Sequence, residues 1–138
     1  HIANIERRRG KVLAFAHNFH LQHSMARWQL GAEELAWWPA GAHLDAMLGQ
    51  RYAVIGSAIG QSQRHGINAP EPGTLEARVT NSPSAAKFVL TQRGRAISRD
   101  EITAIPTRGS STKNSTYFPL TPQSVADFDC LAVLRSID

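Results

Sequence analysis

A run of five apolar residues, Val12 to Ala16, constrains the fold of this chain more than any other stretch, because polar residues bound it on both sides. A short, uninterrupted apolar run is typical of a β-strand that is buried on both faces of a parallel sheet. The run ends in His17, Asn18, Phe19 and His20. Ligands of open α/β sheets bind beyond the carboxyl ends of the strands, so the sequence predicts a candidate site in this loop.

Three further segments have the composition of strands: Tyr52 to Ser57, Lys87 to Thr91 and Asp129 to Arg135. Helical segments separate them. The sequence therefore predicts an α/β architecture, part of a three-layer fold in which helices flank a mainly parallel sheet of about four strands. Gly56 and Gly60 mark either a close approach of the backbone to a neighbour or a bend.

The helix signals are local and distinct. Pro39 and Gly49 bound the clearest helix, since proline suits the first position and glycine follows the last. Thr74 and Thr121 are expected to cap two shorter helices. A capping box predicts one more helix over residues 98–105. The glycine- and serine-rich stretch from Arg108 to Thr116 does not have the spacing of a phosphate-binding loop and is predicted to be a flexible surface loop.

The size of the chain suits one domain with a core, because 42% of its 138 residues are hydrophobic and 19% are charged. Ile2 to Arg9 has the pattern of the last turns of a helix, so we expect the C-terminal portion of a longer domain whose N-terminal part is missing. No apolar run approaches the roughly 18 to 20 residues that span a bilayer, and no membrane partner is predicted. The single cysteine, Cys130, excludes an internal disulfide and favours a reducing, cytoplasmic compartment.

The basic residues are scattered along the chain, although Lys and Arg outnumber Asp and Glu by 15 to 11. No stripe of interleaved aromatic and basic residues occurs, which argues against a nucleic-acid partner. Arg93 follows a predicted strand, where its guanidinium can bind a carboxylate or phosphate. A solvated loop charge is the alternative for this residue.

Three tryptophans, Trp28, Trp37 and Trp38, fall within eleven residues of poor periodicity. This segment is predicted either to cover a ligand pocket as a lid, with Trp28 as a ligand contact, or to dock on the core through its rings. In the helix that follows, His43 lies about 40° from Met47, at the flank of an apolar stripe, and is predicted to face inward. Its role there is either structural or part of the site.

His17, His20 and His23 recur every three residues. On a continuous helix they would spread over about 120°, too wide to converge on one metal ion. The nearest downstream carboxylate is Glu33. Proton transfer suits these imidazoles better, because histidine exchanges protons near neutral pH. The cofactor is therefore unknown: the sequence requires none, assigns no metal ligand and leaves a divalent metal open.

Several motifs together resemble the C-terminal part of the erythromycin esterase family. The most specific is His17-Asn18-Phe19-His20, and the similarity extends over nearly all of the chain. The supporting residues are Gly10 to Ala16, Gly41, His43, Leu44, Leu48-Gly49, Tyr52, Ile55-Gly56, Gly73 to Leu75 and Phe128-Asp129.

The resemblance implies that the parent protein is a bacterial carboxylic ester hydrolase that acts on a macrolide lactone or another small-molecule ester. It implies that His17 and His20 orient water or donate hydrogen bonds to the developing oxyanion. The family histidine thought to activate water lies in an N-terminal motif that this chain lacks, so the 138 residues are expected to be inactive alone. Some relatives carry the domain behind a phosphoribosyltransferase-like domain. Asn18, His43, Arg93 and Trp28 are the predicted substrate-binding residues.

A noncatalytic function is the alternative, in which the tryptophan segment binds a ligand or a partner chain. Substitution of the tryptophans, with the histidines retained, distinguishes the two functions: loss of binding with hydrolysis preserved favours the noncatalytic one. A sheet without its first strands exposes an edge and an apolar face. The sequence therefore predicts a homo-oligomer, or a tight complex with the missing N-terminal portion.

Overall fold

The computed structural model describes residues 1–91, 93, 95, 103–109, 114 and 117–138 of the chain. The chain divides into two compact units, His1–Val54 and Ile55–Asp138. Within the described ranges, no helix has both the length and the apolar character needed to cross a membrane.

The first unit combines three helices with a β-hairpin. Helix α1 ends at Gly10, whose φ of 88° is one that glycine adopts readily. Helix α3 begins after Pro39 and ends at Gly49, which confirms the predicted helix. The elements are α1 (Ile2–Arg9), α2 (Asn18–Leu21), β1 (Ala26–Leu30), β2 (Glu33–Trp37) and α3 (Ala40–Leu48), and a short 3-10 turn follows at Gly49–Arg51.

The tryptophan segment is this β-hairpin, which sequence analysis did not predict. Strands β1 and β2 pair antiparallel from Ala26 opposite Trp37 to Leu30 opposite Glu33. The two-residue connection contains Gly31 with a φ of 61°, the positive value that tight hairpins require. Only Ala26 in the two strands is buried. Ala26 to Leu30 does alternate apolar and polar residues, a strand signal that the poor periodicity of the longer tryptophan segment obscured.

The prediction that Val12 to Ala16 forms a buried strand is wrong. Residues 11–17 have no regular secondary structure. Leu13 and Phe15 are 80% and 92% exposed. A strand needs a neighbour to satisfy its backbone hydrogen bonds, and no strand in the described part of the chain pairs with this run.

The second unit is built on a three-stranded mixed sheet. Strand β5 (Cys130–Ser136) lies in the centre, parallel to β3 (Ile55–Gln61) and antiparallel to β4 (Ala86–Leu90). In the described part of this unit, two short helices, α4 (Leu75–Thr80) and α5 (Pro122–Ala126), accompany the sheet.

This architecture confirms the α/β class but not the predicted sheet. Sequence analysis expected about four strands in a mainly parallel arrangement, whereas the described sheet has three strands, and β4 runs antiparallel to its neighbour. The run at Val12 to Ala16 does not join it. Strand β3 also begins at Ile55, three residues after the predicted start at Tyr52.

The predicted N-caps are confirmed. Thr74 Oγ1 accepts a hydrogen bond from the N–H of Ala77 at 3.3 Å. Thr121 Oγ1 accepts one from the N–H of Ser124 at 3.2 Å, and Ser124 Oγ accepts one from the N–H of Thr121 at 3.1 Å, which closes a capping box. The helix predicted over residues 98–105 lies largely outside the described residues.

One face of the sheet is buried and depends on two glycines in β3. Phe128 and Leu131 are each 1% exposed. A Cβ atom at Gly56 would lie 2.5 Å from Cδ2 of Phe128, and one at Gly60 would lie 2.3 Å from the carbonyl oxygen of Arg135. Of the two interpretations of Gly56 and Gly60, the structure supports the close approach, since any side chain there would collide with its neighbour.

The opposite face of the sheet is exposed and apolar. Ile55, Cys130 and Leu90 lie in one row across the three strands. Ile55 is 58% exposed, Leu90 is 65% exposed, and Phe88 on the same face of β4 is 70% exposed. A continuous apolar patch of this kind on a sheet is a surface prone to association.

Candidate functional site

The candidate site is the loop that leads into the one-turn helix α2. His17 is the N-cap residue of this helix, and its Nδ1 accepts a hydrogen bond from the N–H of Phe19 at 3.3 Å. Serine, threonine, aspartate or asparagine usually supplies this acceptor, so an imidazole is an uncommon cap. His17 and His20 are both exposed, and their ring centroids lie 6.2 Å apart.

The cap fixes how His17 can interact with a ligand. Because Nδ1 accepts the amide proton of Phe19, the neutral ring carries its own proton on Nε2. The pKa of His17 is lowered from its ordinary value, first by partial loss of water around the ring and second by the charge of His20. At neutral pH, His17 therefore presents an Nε2–H donor rather than a base.

We expect an NMR titration of His17 to have its midpoint below the ordinary value of about 6.5. His20→Ala should raise that midpoint, because it removes a like charge. Since the folded-state pKa lies below the unfolded one, the unfolded chain binds more protons, and stability falls as the pH drops from about 6.5 towards the folded-state pKa. A His17 midpoint above about 6.5 would contradict the described environment.

The hairpin supports the histidine loop through aromatic contacts. The rings of Phe19 and His17 are 5.5 Å apart in an edge-to-face arrangement. Phe19 also contacts Trp37 of β2, with centroids 6.2 Å apart. Phe19 thus links the His17 ring to the hairpin. Trp37 therefore packs against the histidine loop through its ring.

Helix α3 and Tyr52 hold the end of α2. A Cβ atom at Gly41 would lie 2.1 Å from the carbonyl oxygen of Leu21, so only glycine allows α3 to approach this closely. The Tyr52 hydroxyl donates a hydrogen bond to the same carbonyl. Gln22 is 5% exposed, and its side-chain amide donates to the carbonyls of Ser24 and Met25. Two residues that carry the family resemblance, Gly41 and Tyr52, therefore position the loop.

Sequence analysis missed a histidine–carboxylate pair beside this loop. Nδ1 of His23 lies 3.1 Å from Oδ1 of Asp45, and the two side chains are 7% and 28% exposed. The His23 ring also packs edge-to-face against Tyr52 at 5.3 Å. Asp45 is the one acidic residue in α3, but nothing in the sequence links it to His23. The pair was missed because the contact is tertiary, whereas sequence analysis considered only the carboxylate nearest to the histidines along the chain.

The other predicted site residues are divided between the two units. Asn18 is half-buried at the start of α2, and Trp28 is half-buried in β1. His43 is exposed on α3, so the prediction that it faces inward is wrong. Because Leu44 is buried while Met47 is 59% exposed, the apolar stripe of α3 is covered only in part. Arg93 belongs to the second unit, where its Nε donates to Oδ1 of Asp129 at 3.2 Å.

A metal site is not evident in the part of the chain that the structure describes. No group of three or more His, Cys, Asp or Glu side chains there is arranged to hold a metal ion. His17 and His20 alone fall short of the three protein ligands of a catalytic zinc site.

The described chain is an α/β protein, and its candidate site has two imidazoles, those of His17 and His20, in one exposed turn. The chain belongs to the erythromycin esterase family, because the model of that family, described as Erythromycin esterase, matches residues 1–137. This confirms the resemblance drawn from the motifs and supports an esterase-like hydrolase at the level of the family.

Among solved structures, the chain is similar to a Bacillus cereus protein known from a crystal structure. The TM-score is 0.59 and the sequence identity is 14%, with 96% of this chain and 35% of that chain covered. At this identity the similarity shows the fold alone. The chain thus spans 35% of the length of that protein. A search of curated protein sequences finds no match.

Proposed function

We propose that this chain supplies part of the active site of a carboxylic ester hydrolase. Family membership supports the reaction class. The observation that carries the proposal is the use of His17 Nδ1 as a helix cap, which places the proton of the neutral ring on Nε2, the atom proposed to donate to a substrate oxygen. His20, one turn further along α2, places a second imidazole beside the first.

In the proposed reaction, water adds to the ester carbonyl carbon and forms a tetrahedral oxyanion. The intermediate then collapses, the carbon–oxygen bond to the alcohol breaks, and the leaving alkoxide takes up a proton. The products are a carboxylic acid and an alcohol. The Nε2–H of His17 stabilises the oxyanion because hydrogen bonds strengthen as negative charge develops on the oxygen. His20 orients the attacking water or relays a proton through its two ring nitrogens.

The base that deprotonates water is proposed to come from polypeptide beyond this chain. His17 is a donor in the described tautomer, and the Bacillus cereus protein with the same fold extends well past the 35% that this chain covers. The proposed substrate is a macrolide lactone or another ester. The proposed complete site therefore combines the histidine loop with residues of the longer protein.

Hydrolysis assays test this proposal. The whole protein should hydrolyse erythromycin or p-nitrophenyl acetate, whereas the 138-residue chain alone should be slower by at least about 100-fold, since it lacks the base. A whole protein that hydrolyses neither ester would contradict the proposal. Equal rates for the whole protein and the isolated chain would contradict the shared site.

The hairpin favours a second function, which is noncatalytic binding of an apolar ligand or a partner chain. Trp38 is 63% exposed, and Leu30 and Leu35 of the hairpin are 51% and 36% exposed. Exposed aromatic and aliphatic side chains of this kind are typical of binding surfaces. If Trp38→Ser abolishes binding of erythromycin while hydrolysis of p-nitrophenyl acetate persists, the hairpin is a binding element separate from catalysis.

We expect the isolated chain to self-associate through the exposed sheet face that contains Phe88 and Leu90. Burial of these two side chains between copies removes apolar area from water. Light scattering at rising concentration should show a mass above that of the 15.1 kDa chain. Phe88→Lys should restore the monomer, whereas Ser84→Lys, which adds the same charge in an exposed loop, should not. A monomeric unmodified chain at high concentration would contradict this expectation.

A further inference from the structure

An open cavity of about 500 Å³ lies in the second unit, at the carboxyl ends of the two parallel strands. Gly60 and Gln61 at the end of β3 line one side, and Arg135 near the end of β5 lines another. Arg78 of α4 and Asn81 after its last residue complete the polar part of the lining. Ligands of α/β sheets bind at this end of the strands, and a volume of this size suits a small molecule.

The two arginines give the lining of this cavity a positive charge. Both Arg78 and Arg135 are exposed. In the described ranges neither guanidinium has a carboxylate within ion-pair distance, and no aspartate or glutamate belongs to the lining. Elsewhere in the same unit, Arg93 is paired with Asp129. The charge at the cavity is therefore free to act on a ligand.

The fold itself places the two arginines at this edge. Arg135 follows Leu131 and Val133 at every second position of β5, so it lies on the same face of the sheet as these buried residues. Unlike those two residues, Arg135 is exposed, and it lines the cavity. Gly60 allows β3 to lie close to the Arg135 backbone, because a Cβ atom at this position would collide with the Arg135 carbonyl oxygen.

We infer that this cavity binds a small anion that carries a carboxylate or phosphate group, held between Arg78 and Arg135. Guanidinium groups form paired, charge-assisted hydrogen bonds with both kinds of oxyanion. The C-terminus of the short helix α4 contributes at most about half a negative charge, which the two arginines outweigh. The amide of Asn81 adds a neutral donor at the same wall. The site lies wholly in the second unit and does not depend on ester hydrolysis by the histidine loop.

Isothermal titration calorimetry of the 138-residue chain with inorganic phosphate and, separately, with succinate tests this inference. At low ionic strength at least one probe should bind saturably, and the preferred probe distinguishes a phosphate ligand from a carboxylate ligand. Arg78→Gln and Arg135→Gln should each weaken that binding by about tenfold or more, because each removes one charge-assisted contact.

Arg64→Gln is the matched control, because Arg64 is an exposed arginine of the same unit outside the cavity lining. It removes the same charge and should leave binding unchanged. Circular dichroism should show the same fold for all three variants, since every substituted side chain is exposed. No saturable binding of either probe, or equal weakening by all three variants, would overturn the inference.

Discussion

Replacing Arg108 with methionine should lower the free energy of unfolding by about 3 to 5 kcal/mol, because it removes a buried charge on which several polar groups depend. Arg108 is only 4% exposed. Its Nη1 donates to the carbonyl of Ile59 and to the Tyr117 hydroxyl oxygen, both at 2.8 Å. Its Nη2 donates to the carbonyls of Gly60 and Asn68. One side chain thus joins the end of β3 to the two loops that follow it.

The carboxylate of Glu76 increases the expected effect. Glu76 is fully buried, and its Oε1 accepts hydrogen bonds from the Tyr117 hydroxyl at 3.2 Å and from the N–H of Leu120 at 2.6 Å. Tyr117 therefore connects Arg108 to Glu76. The pKa of Tyr117 is raised, chiefly by burial and next by the Glu76 charge, so its hydroxyl stays a donor. Without Arg108, the buried Glu76 carboxylate loses the positive group that Tyr117 links to it.

Urea denaturation measures this loss directly. Arg64→Met is the matched control, because the Arg64 side chain is exposed in the same unit, and the substitution should change the free energy of unfolding by less than about 0.5 kcal/mol. Tyr117→Phe should have an intermediate effect, since it removes only the connecting hydroxyl. A loss below about 1 kcal/mol for Arg108→Met would show that the network contributes little to stability.

His17→Ala in the whole protein should lower kcat/KM for ester hydrolysis by about 100- to 1,000-fold, the usual effect of losing one donor to the oxyanion. The alanine variant also removes the helix cap, because His17 Nδ1 accepts the N–H of Phe19. His17→Asn separates the two roles. Asparagine is a favourable N-cap residue, so it restores the acceptor but not the Nε2–H donor.

The proposal therefore expects His17→Asn to stay as inactive as His17→Ala while its stability returns to that of the unmodified protein. His65→Ala serves as the control, because His65 is an exposed histidine of the second unit. Recovery of activity in His17→Asn would assign His17 a structural role in capping α2. Equal losses in His17→Ala and His65→Ala would remove any special function from the loop.

The features that the sequence predicted correctly depend on neighbouring residues. Pro39 and Gly49 bound α3, and the hydroxyls of Thr74 and Thr121 cap the helices that they precede. Each of these signals acts within one helical turn, so the identity of the residue and its spacing are sufficient. The strand from Cys130 to Ser136 was also predicted within a residue at either end, because turn residues and a helix bound its apolar run.

Features that depend on distant partners were missed or predicted wrongly. The run at Val12 to Ala16 has a strand-like composition, but composition does not supply a pairing partner. The direction of β4 relative to β5 is not encoded in either strand alone. The hairpin at Trp28 and Trp37 escaped detection because the alternation of apolar and polar residues covers only Ala26 to Leu30, and such a short run does not identify the strand with which it pairs.

Residue type alone predicted the histidines of the site but not the residues that contact them from other elements. His17 and His20 were selected because imidazoles follow an apolar run, and the structure places both in one exposed turn. Asp45 approaches His23 from another element, which the sequence does not indicate. Arg108 was assigned to a flexible surface loop, since glycine and serine surround it, yet its guanidinium is buried against three carbonyl groups. Most of that loop, residues 110–113, 115 and 116, lies outside the described residues.

The central claim is that the Nε2–H of His17 stabilises the oxyanion of ester hydrolysis. The affinity of the whole protein for a phosphonate analogue of the tetrahedral intermediate tests it most directly. We expect His17→Ala to weaken phosphonate binding by about 100-fold while KM for the ester changes by less than about threefold, because the lost contact acts on the transition state. Unchanged phosphonate affinity in His17→Ala would contradict the claim.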